Sequence, residues 1–290
     1  MIVVMGATSS IAQALMGRLT EIGVPCRAVS RRPEFVRASL APGSEVRYAD
    51  AADPQSLRAA FDGATQLFLT MTNGPAQIEL ETRAIEIAAE QGIGHVVKLS
   101  APIAAPDSPV AVSRWHYAIE EALRASGMVA TMLRPYAFMQ KLLLLAPGIV
   151  EGGVIVGTSG AALFNYIDAR DIGEVAAAAL TRSEIAGGAY TLTGSRTYSY
   201  PRIAELLGSA LGRPIRYVDL PSDAFRAQLI ERSGLPDWLA THITEVQRLA
   251  VTHPERPTDT VARILGHAPR TLELFLVESL DSFRPQVVTR

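Results

Sequence analysis

The sequence is short of several things. Its 290 residues hold one cysteine and two lysines, and aromatic residues make up 6%. A single cysteine, Cys26, excludes an intramolecular disulfide and suits a reducing compartment. It reads as a small apolar residue of a buried strand. With lysine confined to Lys98 and Lys141 and a net charge of −2, no basic field points to nucleic acid. No apolar run reaches membrane-spanning length: Lys141 to Val150 comes nearest and is interrupted by Pro147 and Gly148. His95, His116, His242, His253 and His267 show no metal-ligand spacing, so no metal is expected. The chain opens on a strand pattern with no basic region ahead of an apolar core, unlike a signal peptide. The expectation is a soluble cytoplasmic protein away from membranes. Its length suits one large α/β domain or a domain with a smaller appendage.

What is present begins with Met1 to Ala12. The apolar run Ile2-Val3-Val4-Met5 stops at Gly6, turn residues follow, and a helical pattern starts at Ser10. A buried parallel strand feeding a tight turn and a helix reads this way. Gly6 permits the turn and a close ligand approach. Thr8, Ser9, Ser10 and Ile11 stand at the helix start, where free N–H groups and the helix dipole attract phosphate. A full dinucleotide fingerprint has three glycines; here Ser9 or Ser10 and Ala12 stand near the second and third places.

Strand and helix patterns then alternate. Strands are expected at 26–29, 46–49, 67–70, 95–99 and 129–133, with helices at 10–22, 54–61, 76–91 and 112–126. Asp53 reads as an N-cap with Pro54 at the first helical position, and Gly23, Gly92 and Gly127 close helices. Such alternation predicts a doubly wound parallel sheet with helices on both faces, and ligands beyond the carboxyl ends of its strands. After Gln140 the rhythm changes. Short strands are expected at 152–156, 162–167 and 189–192, helices at 171–180 and 200–211, and mostly helix from Pro221 to Ser282. The expected fold is α/β, Rossmann-like, with a smaller C-terminal α/β substrate lobe. Residues 1–150 would form the nucleotide-binding domain and 151–290 the lobe, with about 165–193 returning to the first domain.

With these residues placed, the chain resembles an atypical short-chain dehydrogenase/reductase of the NmrA-like group, in its NAD(P)H:quinone oxidoreductase and triphenylmethane reductase branch. Gly6-Ala7-Thr8-Ser9-Ser10-Ile11-Ala12 resembles the cofactor turn. Tyr48-Ala49-Asp50 with Asp53-Pro54-Gln55-Ser56-Leu57 resembles the segment near the adenine, which implies Asp50 and Ala51 as contacts. His116, Glu120, Leu123, Ser126-Gly127, Thr131, Leu133-Arg134-Pro135 and Phe138 resemble a further signature, as does Phe164 to Asp171. The resemblance places Thr70, Met71 and Thr72 beside the nicotinamide-side ribose, and Pro135 at the end of the sixth strand. It also implies that Ser100 stands where the larger family keeps its catalytic serine. There it bonds a substrate oxygen or the cofactor amide, or else caps the next turn.

The chain departs from the larger family in one respect. Residue 94, four before Lys98, is Gly, and residue 137, four before Lys141, is Ala, so no Tyr-x-x-x-Lys pair exists. The resemblance puts His116 at the lysine place, which implies it as the acid–base candidate, as proton donor or substrate anchor. Lys98 lies two residues before Ser100 and on the same face; it pairs with a carboxylate or reaches the strand end. The second strand ends in Ser30-Arg31-Arg32 rather than an acidic residue, which favours NADPH over NADH with Arg31 on the 2′-phosphate. The resemblance thus implies an NADPH-dependent reductase of a quinone or similar flat aromatic acceptor. The alternative is a non-catalytic NAD(P)-sensing regulator, and a homodimer is one assembly to test.

Overall fold

The computed structural model describes residues 1–39 and 44–285. In chain order the elements are β1 (Ile2–Met5), α1 (Ser10–Glu21), β2 (Cys26–Ser30), α2 (Pro33–Ser39), β3 (Glu45–Tyr48), α3 (Pro54–Phe61), β4 (Gln66–Leu69), α4 (Gln77–Glu90), β5 (His95–Leu99), α5 (Ala111–Ala125) and β6 (Val129–Pro135). Then come β7 (Ala137–Phe138), α6 (Ala146–Gly152), β8 (Val154–Gly157), β9 (Phe164–Ile167), α7 (Ala169–Thr181), β10 (Ala189–Leu192), β11 (Thr197–Tyr198) and α8 (Tyr200–Leu211). The chain continues with β12 (Arg216–Asp219), α9 (Ser222–Glu231), α10 (Asp237–Thr252), α11 (Thr260–Leu265) and α12 (Leu272–Glu278).

Two compact units emerge, and both are discontinuous in sequence. The first holds Met1–Pro135, Ala169–Leu192 and Thr260–His267; the second holds Tyr136–Asp168, Thr193–Asp259 and the chain from Ala268. In the first unit seven strands form one sheet in the order β10-β6-β5-β4-β1-β2-β3. Every pairing is parallel, as the strand–helix alternation predicts. The strands alternate their side chains between two buried faces. Val3, Met5, Leu67, Leu69 and Val96 join Leu57, Phe61, Ile85 and Ile119 in one core beneath α3, α4 and α5. On the other side α1 packs against α7 so closely that a Cβ at Gly173 would sit 2.7 Å from the Ala14 Cβ.

The second unit has a three-stranded sheet, β11-β9-β7, and a parallel pair, β12-β8. Its core gathers Met139, Leu142, Ile149, Ile155, Phe164, Tyr166, Ile203, Leu207 and Phe275.

Some local expectations shift. Pro33 opens α2, a helix absent from the expected elements, and Pro147 opens α6 rather than ending an apolar run, because proline suits the first turn of a helix. The strand expected from Gly152 therefore starts at Val154, after Gly153 closes α6 at φ 61°. Cys26 lies in β2 but is half-buried rather than enclosed, and burial raises its thiol pKa.

Candidate active site

The sheet order reverses direction at β1, whose neighbours β2 and β4 lead to opposite edges of the sheet. At such a switch point ligands sit beyond the carboxyl ends of the strands, here β1 and β4. Gly6 and Thr70 face each other there. Gly6 has φ 71°, and a Cβ on it would meet the Thr70 carbonyl oxygen at 2.5 Å. Gln13 Nε2 donates to the Ala7 carbonyl at 2.6 Å and so fastens the turn. Ser9 is the N-cap of α1, its Oγ accepting from the Ala12 N–H at 3.2 Å. The N–H groups of Ser10 and Ile11, in the first turn, have no intrahelical partner. The first turn carries no acidic residue. An anion therefore meets open donors and the positive end of a 12-residue helix. The small residues of the turn leave room for a dinucleotide pyrophosphate, so the turn fits that group.

The neighbouring strand ends divide their tasks. Arg31 extends exposed from the end of β2, whereas the Arg32 guanidinium lies 5.1 Å from the Phe35 ring centre. Ser30 Oγ accepts from the Arg32 N–H at 3.0 Å. Beyond β3, Asp50 Oδ1 accepts from the Ala52 N–H at 3.0 Å, and the Ala51 carbonyl accepts from Arg83 at 3.1 Å. Thr70 is buried, Met71 half-buried and Thr72 exposed.

Beside this edge lies a buried ionic cluster. Lys98 on β5 and Glu81 on α4 are both 0% exposed, with Nζ 2.5 Å from Oε2. Nζ also donates to the Leu99 carbonyl at 2.8 Å and stands 3.2 Å from His116 Nδ1 on α5. An ammonium has donors only, so His116 Nδ1 accepts and the ring proton sits on Nε2. Nε2 then donates to Asn73 Oδ1 at 3.3 Å; Gln77 Nε2, itself a donor, lies 3.5 Å away and does not accept from it. Gln77 Nε2 donates to Glu81 Oε1 at 2.8 Å, while Gln77 Oε1 is buried without a hydrogen-bond partner.

A second cluster forms one turn further along α5. Ser100 Oγ donates to Glu120 Oε1 at 2.6 Å; Arg134 Nε donates to the same oxygen at 2.8 Å, and Arg124 to Oε2 at 2.8 Å. Arg134 also pairs with Oε2. Burial alone would raise the Glu120 pKa, but the hydrogen bonds from Arg134 and Ser100 and the two arginine charges hold it below the usual carboxylate range.

The structure thus gathers Gly6, Thr8, Ser9, Ser10, Ile11, Thr70, Met71, Thr72, Ser30 and Arg31, Asp50 and Ala51, Ser100 and Pro135 along the carboxyl edge of one sheet. His116 sits behind Lys98, 5% exposed, with both ring nitrogens engaged. Glu81 and Gln77 escaped sequence reasoning; the only signal was a helix whose polar residues at 77 and 81 fall on its buried face. In the second unit, Met139 and Leu142 are core residues and Leu144 is 73% exposed. A second cluster there was also missed. Burial pushes the Glu255 carboxyl up to about 7, against the lowering effect of the Asn165 N–H that donates to it. Among the described residues no three His, Cys, Asp or Glu side chains are grouped to hold a metal, and no helix is long and apolar enough to cross a membrane.

The NmrA-like family model matches residues 1–276. NAD(P)H azoreductase of Xenophilus azovorans is 33% identical over 276 residues, covering 95% of this chain and 96% of that protein. The (4-alkanoyl-5-oxo-2,5-dihydrofuran-3-yl)methyl phosphate reductase of Streptomyces griseus is 33% identical over 289 residues, covering 99% and 100%. The structure of the NADPH-dependent quinone oxidoreductase of Escherichia coli, complexed with NADPH, superposes with a TM-score of 0.86 at 27% identity, covering 97% of this chain and 99% of that one. The chain belongs to the NmrA-like family.

Proposed function

We propose that this chain is an NADPH-dependent reductase that passes hydride to a quinone or another flat conjugated acceptor. The observation that carries it is the Gly6 turn at the β1–β4 switch point, where a Cβ would strike Thr70 and the α1 N-terminus offers open donors. Named for azo, dihydrofuranone and quinone chemistry, the relatives suggest what the acceptors share: a conjugated electrophile.

NADPH, when bound, supplies the hydride. The protein's share is to hold and orient. The N–H groups of Ser10 and Ile11, with the hydroxyls of Thr8 and Ser9, take the phosphates. Arg31 takes the 2′-phosphate, since a planar guanidinium bonds phosphate in a forked fashion. Asp50 and Ala51 lie toward the adenine, and Thr70, Met71, Thr72, Ser100 and Pro135 toward the nicotinamide. The chain has no Tyr-x-x-x-Lys pair, and a quinone asks less of a general acid than a simple ketone does, because the reduced form is a stabilised phenolate. His116, behind Lys98, is the acid–base candidate beside this edge. In this reading the first unit is the dinucleotide-binding domain and the second the substrate lobe. One cysteine and the absence of a long apolar helix among the described residues support a cytoplasmic site of action.

The test is NADPH oxidation with a panel of benzoquinones, naphthoquinones and azo dyes, with NADH in parallel. Turnover of at least one class, with NADPH preferred, is expected. Tight NADPH binding with no turnover of any acceptor would refute it, and sedimentation of the same sample tests for a homodimer.

A further inference from the structure

We propose, on the reductase reading above, that Lys98 is the source of the proton for the reduced acceptor and that His116 relays it, with Glu81 holding the pair in register. Lys98 acts through His116, so it is a positioning residue in the relay and His116 is the group that meets the substrate.

The geometry accommodates the proton on either side of the transfer. Before it, Nζ donates to the Leu99 carbonyl and His116 Nδ1 and is ion-paired with Glu81 Oε2. During reduction the acceptor oxygen takes the place of Asn73 Oδ1 at His116 Nε2. Hydride from NADPH adds to the quinone, and the developing phenolate oxygen takes the Nε2 proton. Nδ1 takes one proton from Nζ. The hydroquinone is then complete, and NADP⁺ is the oxidised product. Lys98 is left as a neutral amine that still donates to Leu99, stays beside Glu81 and now accepts from Nδ1–H. No contact at Nζ is lost, so Lys98, Glu81 and His116 keep their places and only Asn73 gives way to the acceptor. After product release His116 Nε2 takes a proton from water and the Nδ1 proton returns to Nζ, which restores the starting tautomer.

The ammonium is the acid that stands behind the imidazole. A neutral imidazole alone is far too weak an acid for the task. The ion pair with Glu81 keeps a charged Lys98 tolerable at 0% exposure, where an unpaired ammonium would be expelled.

The experiment compares two acceptors. A quinone needs hydride and a proton. A cationic triarylmethane dye needs hydride only, because its carbocation becomes a neutral leuco product. The variant is Lys98→Met/Glu81→Gln, which removes both charges together and leaves no buried ion unpaired. The ratio of quinone kcat to dye kcat should fall by about 10²-fold, the lower range for loss of general acid catalysis. A purely structural role lowers both rates in step and overturns the proposal. A second readout is independent of turnover: the ¹⁵N spectrum of the His116 ring in the unliganded protein. The proton should sit on Nε2 with Nδ1 bare, and the variant should lose that single tautomer. A proton on Nδ1 in the wild-type protein overturns the relay. Wild-type protein that reduces neither acceptor refutes the reductase reading instead.

Discussion

Ser100 spends its hydroxyl proton on Glu120, 2.6 Å away, in a side chain–side chain bond closed over by Arg134 and Arg124. A serine at the end of a fifth strand invites a substrate-binding role, yet its donor is committed to the protein and only its oxygen lone pairs remain for a ligand. Ser100→Ala should therefore change kcat less than tenfold. Glu120→Ala leaves two arginines facing a vacated buried site and should cost about 3 kcal/mol, the lower end for breaking a buried pair, since both arginines keep partial contact with water. Steady-state kinetics and urea unfolding check the two claims.

Gly6→Ala tests the turn. The residue sits at φ 71°, and the added methyl would meet the Thr70 carbonyl oxygen and its Cγ2 at 2.5 and 2.8 Å. Left-handed strain alone is worth about 1–2 kcal/mol. The variant should lose at least tenfold in NADPH affinity and show a lower Tm. Wild-type affinity in a fluorescence titration would show that the dinucleotide lies elsewhere.

Arg31→Ala should weaken NADPH binding about tenfold to a hundredfold and leave NADH nearly unchanged, the value of one charge-assisted contact. Arg32→Ala should do much less, because that guanidinium is already held over Phe35. Equal losses for both dinucleotides would remove Arg31 from the 2′-phosphate.

Local signals carried the first unit. The apolar run ahead of Gly6, the Asp53-Pro54 start of α3 and the glycines at 92 and 127 act within a few residues, so the parallel sheet was legible from the chain. Helix α8 follows the same logic, capped by Ser199 and closed by Gly212. The Lys98–Glu81 pair was not legible. Sequence placed Lys98 in a strand and left its partner open, because the register of α4 against β5 is a tertiary result. Glu255 was silent for the same reason: it lies in a stretch expected to be mostly helix, and its contact with the Asn165 N–H spans 90 residues. The β8–β12 pair joins strands 62 residues apart at Val154 and Arg216, beyond any local pattern.

Glu255 and His242 should pull the pH dependence of stability in opposite directions within the second unit. Burial raises the Glu255 carboxyl to about 7, so the folded state holds a proton that the unfolded state releases near the ordinary carboxylate value of 4.5. The stability it contributes is full below 4.5 and is lost as pH rises toward 7. Burial, aided by the Lys141 charge, lowers His242 to about 4 from 6.5. Its contribution is full above 6.5 and is lost as pH falls toward 4. Between about 4.5 and 6.5 the two slopes oppose, and each hides the other in the wild-type protein. Substitution separates them. Relative to wild type, Glu255→Gln should gain stability steadily as pH rises from 4.5 to 7, since the amide keeps an acceptor for the Asn165 N–H and carries no charge to bury. His242→Gln should gain as pH falls from 6.5 to 4. Thermal unfolding of the three proteins across pH 4 to 8 gives the differences directly. A Glu255→Gln difference that stays flat over this range would place that carboxyl in water.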